Sequence, residues 1–263
     1  MTRRNTCSFA FWLLIAAPSA TFGQFSYPSF SSTAGLQLEG SAAVVSNAIQ
    51  LTTAGAGSTA SAFWYQTPVN VRSGFSTTFS YTIYPGGGAD GLAFVIQNDA
   101  SGSSAIGTGG DGLAANGIAN GVAIAFRTYV FNDVEIDSCG VGNAITIGGC
   151  IVTSISEGGL SGTHSVQIDQ SGGILKVSLD GNQILSGSVN LANAVGGNTA
   201  YVGITGADGS ASETAIINSW SVTPGISPAP TPAPPSIWLA LVGLIFTALW
   251  FGFQGRSIIR PQS

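Results

Sequence analysis

Positive charge is scarce in this sequence: Lys and Arg number 7 in 263 residues, and charged residues of both signs make up only 7%. A nucleic-acid binder neutralises phosphates with a dense basic surface, which these few side chains, four of them outside the central region, do not build. Histidine occurs once, at His164, which excludes a zinc or haem centre held by several imidazoles. Any Ser-His-Asp or Cys-His nucleophilic centre would rest on that same ring. His164 begins a strand-like stretch, Gly-Thr-His-Ser-Val, where an ordinary surface or edge position is expected. Long helical periodicity is missing too. Disorder is excluded by the 44% apolar and 10% aromatic content, enough to bury a core. With 37 Gly and abundant Ser, Thr, Ala, Val and Ile, the mixture is that of an all-β extracellular domain.

Both ends differ from the middle. Arg3 and Arg4 precede an apolar run, Cys7 to Ala17, and turn-prone residues follow to Gly23. Residues 1–23 therefore read as a secretory signal peptide cleaved after Gly23 or Ala20, the alternative being an uncleaved anchor. Residues 225–235 contain the Pro-rich linker Ser227 to Pro235, an extended, semi-rigid spacer. Residues 236–254 follow as an apolar stretch, where about 18 residues rising 1.5 Å each span about 27 Å, close to the hydrocarbon thickness of a membrane. Trp238 and Trp250 lie towards its ends, and Arg256 and Arg260 in the tail, 255–263, place that tail on the cytoplasmic side. Pro-Ala-Pro-Pro, the apolar stretch and the arginines together resemble the PEP-CTERM sorting signals of Gram-negative bacteria. That resemblance implies an exosortase-type processing enzyme as partner and a surface or secreted destination. An ordinary single-span membrane anchor is the alternative.

Between Gln24 and Pro235 three basic residues, Arg72, Arg127 and Lys176, face all twelve carboxylates, a net charge of −9. Such a surface repels polyanions and does not discriminate against neutral sugars. Cys7 lies in the leader, leaving Cys139 and Cys150, an even pair that in an oxidising compartment forms one disulfide, with two buried thiols as the alternative.

Period-two alternation marks half-buried strands at Phe79, Tyr81 and Ile83; at Leu92, Phe94 and Ile96; at Val122, Ile124 and Phe126; at Val166 and Ile168; and at Leu175, Val177 and Leu179. Ala200, Val202 and Ile204 continue the pattern, as do Ile216, Trp220 and Val222 with Asn218 between. Turns are expected at Tyr84 to Gly88, Gln170 to Gly173, Asp180 to Asn182 and Gly206 to Gly209. Residues 24–224 thus form one β-sandwich or barrel. Gly107 to Gly112 has Gly-x-Gly-x-x-Gly spacing without a βαβ context, so its glycines are expected to turn tightly or approach a ligand and not to cradle phosphate.

Several stretches in order resemble the L-type (legume-type) lectin domain of bacterial surface proteins: Leu36 to Gly40, Ile49 to Thr52 and Ala62 to Val69; Phe75 to Ile83 and the Ala-Asp-Gly loop at Gly88 to Val95; Gly109 to Leu113 and Val122 to Phe126; and Leu191 to Val222. The resemblance implies a concanavalin-like jelly-roll β-sandwich with a shallow sugar site made by loops at one end. In that reading Asp90 accepts hydrogen bonds from sugar hydroxyls, and Gly110 or Gly109 offers a backbone N–H. Asn132 with Phe131 or Tyr129 completes the core, and a fourth loop, Gly206 to Ser212, includes Asp208. The implied activity is carbohydrate binding without catalysis, with glycan or exopolysaccharide as partner; the alternative is a lectin-fold structural, adhesion or matrix protein.

The family's two metal ions are held by a Glu-Phe-Asp motif, an Asn, a later Asp and a His. Here Ala125 and Arg127 replace the two carboxylates. A two-metal site is therefore not expected. Asp133, Glu135 and Asp137 are left either as ligands of one calcium ion or as a solvated acidic loop. Arg127 is expected to stand where a cation stood and to pair with one of these acids or with Asp90. Val134 to Asp137 also resembles half of a laminarinase-type Glu-Ile-Asp-x-x-Glu strand. The second acid of that pair falls on Gly140, so one of the two carboxyls needed for retaining hydrolysis is missing, and a β-glucanase-like hydrolase is the less favoured alternative.

Overall fold

The computed structural model describes residues 24–84 and 88–225. The leader, the Pro-rich linker, the apolar stretch and the middle of the Tyr84 to Gly88 turn lie outside the described residues. Among those described, no helix is long and apolar enough to cross a membrane.

Among the described residues, sixteen strands follow one another. The first eight are β1 (Phe25–Tyr27), β2 (Leu36–Gly40), β3 (Ala43–Val45), β4 (Ala48–Gln50), β5 (Thr59–Tyr65), β6 (Val69–Asn70), β7 (Phe75–Tyr84) and β8 (Gly91–Gln97). After them come β9 (Gly121–Arg127), β10 (Asp133–Ser138), β11 (Ile151–Ser156), β12 (Gly162–Ser171), β13 (Ile174–Leu179), β14 (Asn182–Ser188), β15 (Thr199–Asp208) and β16 (Thr214–Pro224). They pair antiparallel into two sheets. The back sheet runs β14-β13-β12-β7-β16-β4-β3 with β1 on β16, and the front sheet runs β11-β10-β9-β8-β15-β5-β2 with β6 on β15. This is the expected all-β jelly-roll sandwich.

The alternating positions form the core between the sheets. Phe79, Phe94, Phe126 and Trp220 are buried there, with Phe94 and Trp220 ring centroids 6.5 Å apart in an edge-to-face arrangement. Strands β8 and β9 are buried on both faces, because their outward Ala93, Val95, Ala123 and Ala125 are covered as well. On that outer face Leu113, Ala115, Ile118, Ile145 and Ile147 form a second apolar layer. Trp64 anchors it by donating its indole N–H to the Ala105 carbonyl at 2.8 Å.

The last strand departs from the simple alternation. Its register shifts between Ile217 and Ser219, so Ala215 and Ile217 point inward before the bulge and Trp220 and Val222 after it. Ile216 consequently faces away from the core layer that the sequence pattern put it in. Asn218, at the bulge, donates to the Thr82 hydroxyl at 3.0 Å. The Gly206 to Gly209 stretch also differs from expectation, because β15 extends through Asp208. The Asp180-Gly181 turn does form, both residues having positive φ.

Cys139 and Cys150 form the expected disulfide. The loop it closes lies over the front sheet: Ile145 and Ile147 join the outer layer, and Gly148 is so close to Arg127 that a Cβ there would sit 3.2 Å from a guanidinium nitrogen. Replacing both cysteines by serine is expected to lower stability by about 2–3 kcal/mol, the value for closing a short loop, measured by denaturant unfolding under oxidising conditions. A loss under 1 kcal/mol would show that packing alone holds the loop.

Candidate functional site

Antiparallel register fixes what meets at each end of the sandwich. Gly91, at the start of β8, pairs with Arg127 at the end of β9 and with Ala207 near the end of β15. Thr214, at the start of β16, pairs with Tyr84 at the end of β7. One pole therefore gathers Asp90, Thr128 and the loop from Gly209 to Glu213. The opposite pole holds Phe75 and Pro224, which pair, and Phe25 lies opposite Val222. Gln24 and Gly225 both lie at that opposite pole.

Asp90 is fixed by its backbone, in a chain whose Ala89–Asp90 peptide is cis. Its N–H donates to the Ala207 carbonyl at 3.1 Å and its carbonyl accepts from the Thr128 N–H at 3.1 Å. The residue is only 6% exposed, yet its Oδ2 has no hydrogen-bond partner. That oxygen faces two glycines: a Cβ would lie 3.1 Å from it if placed on Gly209 and 3.9 Å if placed on Gly110. Gly110 has φ +64° and opens a short 3₁₀ turn, Gly110–Gly112, while a Cβ on Gly109 would press within 3.0 Å of the Thr59 carbonyl. Three separate loops thus bring Asp90, Gly110 and Gly209 together around an unpartnered carboxylate oxygen. Burial and the nearby Asp111 push the Asp90 carboxyl above the usual carboxylate range; the Gly209 N–H nearby offsets this in part, without reaching hydrogen-bond geometry on Oδ2.

Tyr129, Val130 and Phe131 are exposed in the loop between β9 and β10. Phe131 lays one face on the Arg127 guanidinium, 4.0 Å from ring centroid to carbon. Asn132 has positive φ and accepts the Glu157 N–H at its carbonyl, 2.7 Å away. Thr128 ties this loop to its neighbours, its hydroxyl donating to Glu213 Oε1 at 2.8 Å.

Asp208 differs from the expectation that it faces a ligand. It has no exposed surface; one carboxylate oxygen accepts the Glu213 N–H at 3.4 Å and the other the Thr59 hydroxyl at 3.5 Å. Its role is to hold the loop that carries Gly209. Glu213, absent from the sequence expectations, is equally buried. The signal for it was the strand phase, which puts Glu213 on the inward side with Ala215 and Ile217. Burial raises both carboxyls, to about 6 for Asp208 and about 7 for Glu213, and each is raised further by its acidic neighbours.

Asp133, Glu135 and Asp137 do not form a solvated loop. They lie on strand β10, in register with Arg127, Ala125 and Ala123, and Glu135 and Asp137 are fully buried. Arg127 approaches Glu135 Oε2 at 3.3 Å and Asp133 Oδ2 at 3.8 Å. Burial and Glu135 push Asp137 up to about 8, and both its carboxylate oxygens are buried without a hydrogen-bond partner. A calcium ion needs about six to eight oxygens around one point. Here a guanidinium occupies the position next to Glu135, and among the described residues no three His, Cys, Asp or Glu side chains converge on a metal position. The residues present do not fit the metal pair implied for such a fold. His164 sits at a partly exposed position on β12, where its Nδ1 lies 2.8 Å from Asp180.

A family model described as "Legume lectin domain" matches residues 23–236. Lectin II from Ulex europaeus is similar in structure, with TM-score 0.65 and 22% identity over 77% of this chain and 98% of that one. The metal-free form of lectin I-B4 from Griffonia simplicifolia is similar at TM-score 0.65 and 22% identity, over 78% of this chain and 100% of that one. The exoplasmic/lumenal domain of VIP36, in a form bound to calcium and Man3GlcNAc, matches at TM-score 0.59 and 15% identity over 80% and 93%. No curated protein matches the sequence.

Proposed function

The chain belongs to the legume lectin domain family, a family of non-enzymatic carbohydrate-binding proteins, and from that premise we propose that it is an exported surface lectin whose loop pole grips a glycan. Asp90 Oδ2 accepts hydrogen bonds from sugar hydroxyls, the Gly110 N–H donates to one, and Tyr129, Phe131 and Asn132 form the rim. The observation that carries this reading is the buried, unpartnered oxygen of Asp90 set against two glycines; a buried acceptor left without a donor is costly, and a hydroxyl would satisfy it. Many weak sugar contacts add when copies crowd a surface.

No metal enters this reading, because Arg127 supplies the fixed positive charge beside β10. Binding on a glycan array is expected to survive a chelator unchanged and to fall at least tenfold in Asp90→Asn, whose melting temperature should stay near that of the parent. Chelator-sensitive binding, or binding indifferent to Asp90→Asn, would refute the assignment. A folded protein that binds no sugar at all would favour the structural or matrix role.

A further inference from the structure

The loop pole gathers four carboxylates, and the base beside it, Arg127, is turned to other partners. Asp90, Asp111, Asp208 and Glu213 come from three segments, the last two flanking one loop, and they act on one another through space: Asp111 on Asp90, Asp90 on Asp208, and both Asp208 and Asp90 on Glu213. None of the four basic side chains among the described residues pairs with these acids. Arg127 is engaged by Glu135, Asp133 and the Phe131 ring. Arg72 lines a cavity at the opposite pole with Gln170 and Asn198. Lys176 lies on β13 of the back sheet, and His164 pairs with Asp180. The three ion pairs among the described residues include none of the four acids. Asp90 Oδ2 and Glu213 Oε2 both remain buried without a partner.

We propose that the ligand of this pole is an amino sugar carrying a free ammonium group, as in de-N-acetylated polysaccharides, with the ammonium at Asp90 Oδ2 in the gap between Gly110 and Gly209. The inference rests on the lectin reading above and narrows its ligand class. A neutral hydroxyl satisfies one lone pair of Asp90. An ammonium satisfies it with a charge-assisted bond and relieves the repulsion among the four acids. The domain's net charge of −9 steers such a ligand towards the protein, and the exposed Tyr129 and Phe131 offer apolar faces to the adjoining ring, which a polyamine lacks.

The test is calorimetric titration of the full-length protein at physiological salt with three tetrasaccharides of one linkage: glucosamine, N-acetylglucosamine and glucose. Spermine serves as a cation without a sugar ring. The glucosamine tetramer is expected to bind at least tenfold tighter than the other two and to resist competition by spermine. Asp111→Asn, an exposed change, should weaken it about threefold, Asp90→Asn at least tenfold, and Asp169→Asn on the back sheet not at all. Equal affinity for amine and acetylated sugars, with Asp90 still required, would overturn this inference and leave the lectin reading standing. Equal weakening by Asp169→Asn, or displacement by spermine, would reduce the binding to bulk attraction and overturn it as well. Failure of all three sugars to bind would sink both readings.

Discussion

Replacing Arg127 by alanine is expected to lower the stability of the domain by about 3–5 kcal/mol at neutral pH, the cost of breaking a buried ion pair from one side. Glu135 has no exposed surface and its ionic partner is the guanidinium 3.3 Å away. Removing that partner strands a carboxylate between Asp133 and Asp137 on one strand face. Phe131 also loses the cation it covers, so the loop bearing Tyr129 and Asn132 should loosen with it. The deficit should shrink as pH falls toward 5, because the acid cluster can take up a proton in place of the guanidinium. The double variant Arg127→Met with Glu135→Leu should recover most of the loss, since apolar replacement of a buried pair is often neutral. Chemical denaturation of the three proteins at pH 5 and pH 7.5 decides the matter. A loss below 1 kcal/mol for Arg127→Ala at pH 7.5 would mean that the pair does not hold this region, and restoration of stability by added calcium would mean that the acids are a metal site after all.

Much of the fold was legible because one core face is a local property of a strand. Phe79, Tyr81 and Ile83 point the same way whatever they pair with. The phase error at Ile216 shows the limit: Ile216 and Ile217 are both apolar, so either phase fits, and the bulge at Asn218 is set by pairing with β7. The double burial of β8 and β9 was likewise hidden, because Ala93, Ala123 and Ala125 read as neutral until the Leu113 and Ile147 segments cover them. At the site, Asp90 and Gly110 could be placed by their motifs. Asp208 was misjudged, since exposure depends on how far β15 continues. The partner of Arg127 followed only once β9 and β10 were set in register, Ala125 opposite Glu135 and Arg127 opposite Asp133.

Raising pH from 5 to 8 should destabilise the domain, a direction opposite to that of proteins held by paired carboxylates. In the folded chain Asp208 is pushed up to about 6, Glu213 to about 7 and Asp137 to about 8. An unfolded carboxyl releases its proton near pH 4. Between pH 5 and 8 the folded state therefore binds more protons than the unfolded one, and stability falls as pH rises. His164, raised by its hydrogen bond to Asp180, acts in the same sense, because stability gained from its protonation is lost as pH climbs. Asp99 and Asp180, both lowered, work the other way, but at acid pH outside this window. For Glu213 alone, raised from 4.5 to about 7, the conversion of 1.36 kcal/mol per unit gives about 3 kcal/mol, or a drop in melting temperature of roughly 6–12 °C for a domain of this size. Glu213→Gln preserves an acceptor for Thr128 and cannot ionise, so its melting temperature should fall less steeply over the same range and exceed the parent's at pH 8. A parent curve that is flat or rises with pH would contradict the burial of these acids. Parallel curves for parent and Glu213→Gln would instead assign the effect to Asp208 and Asp137.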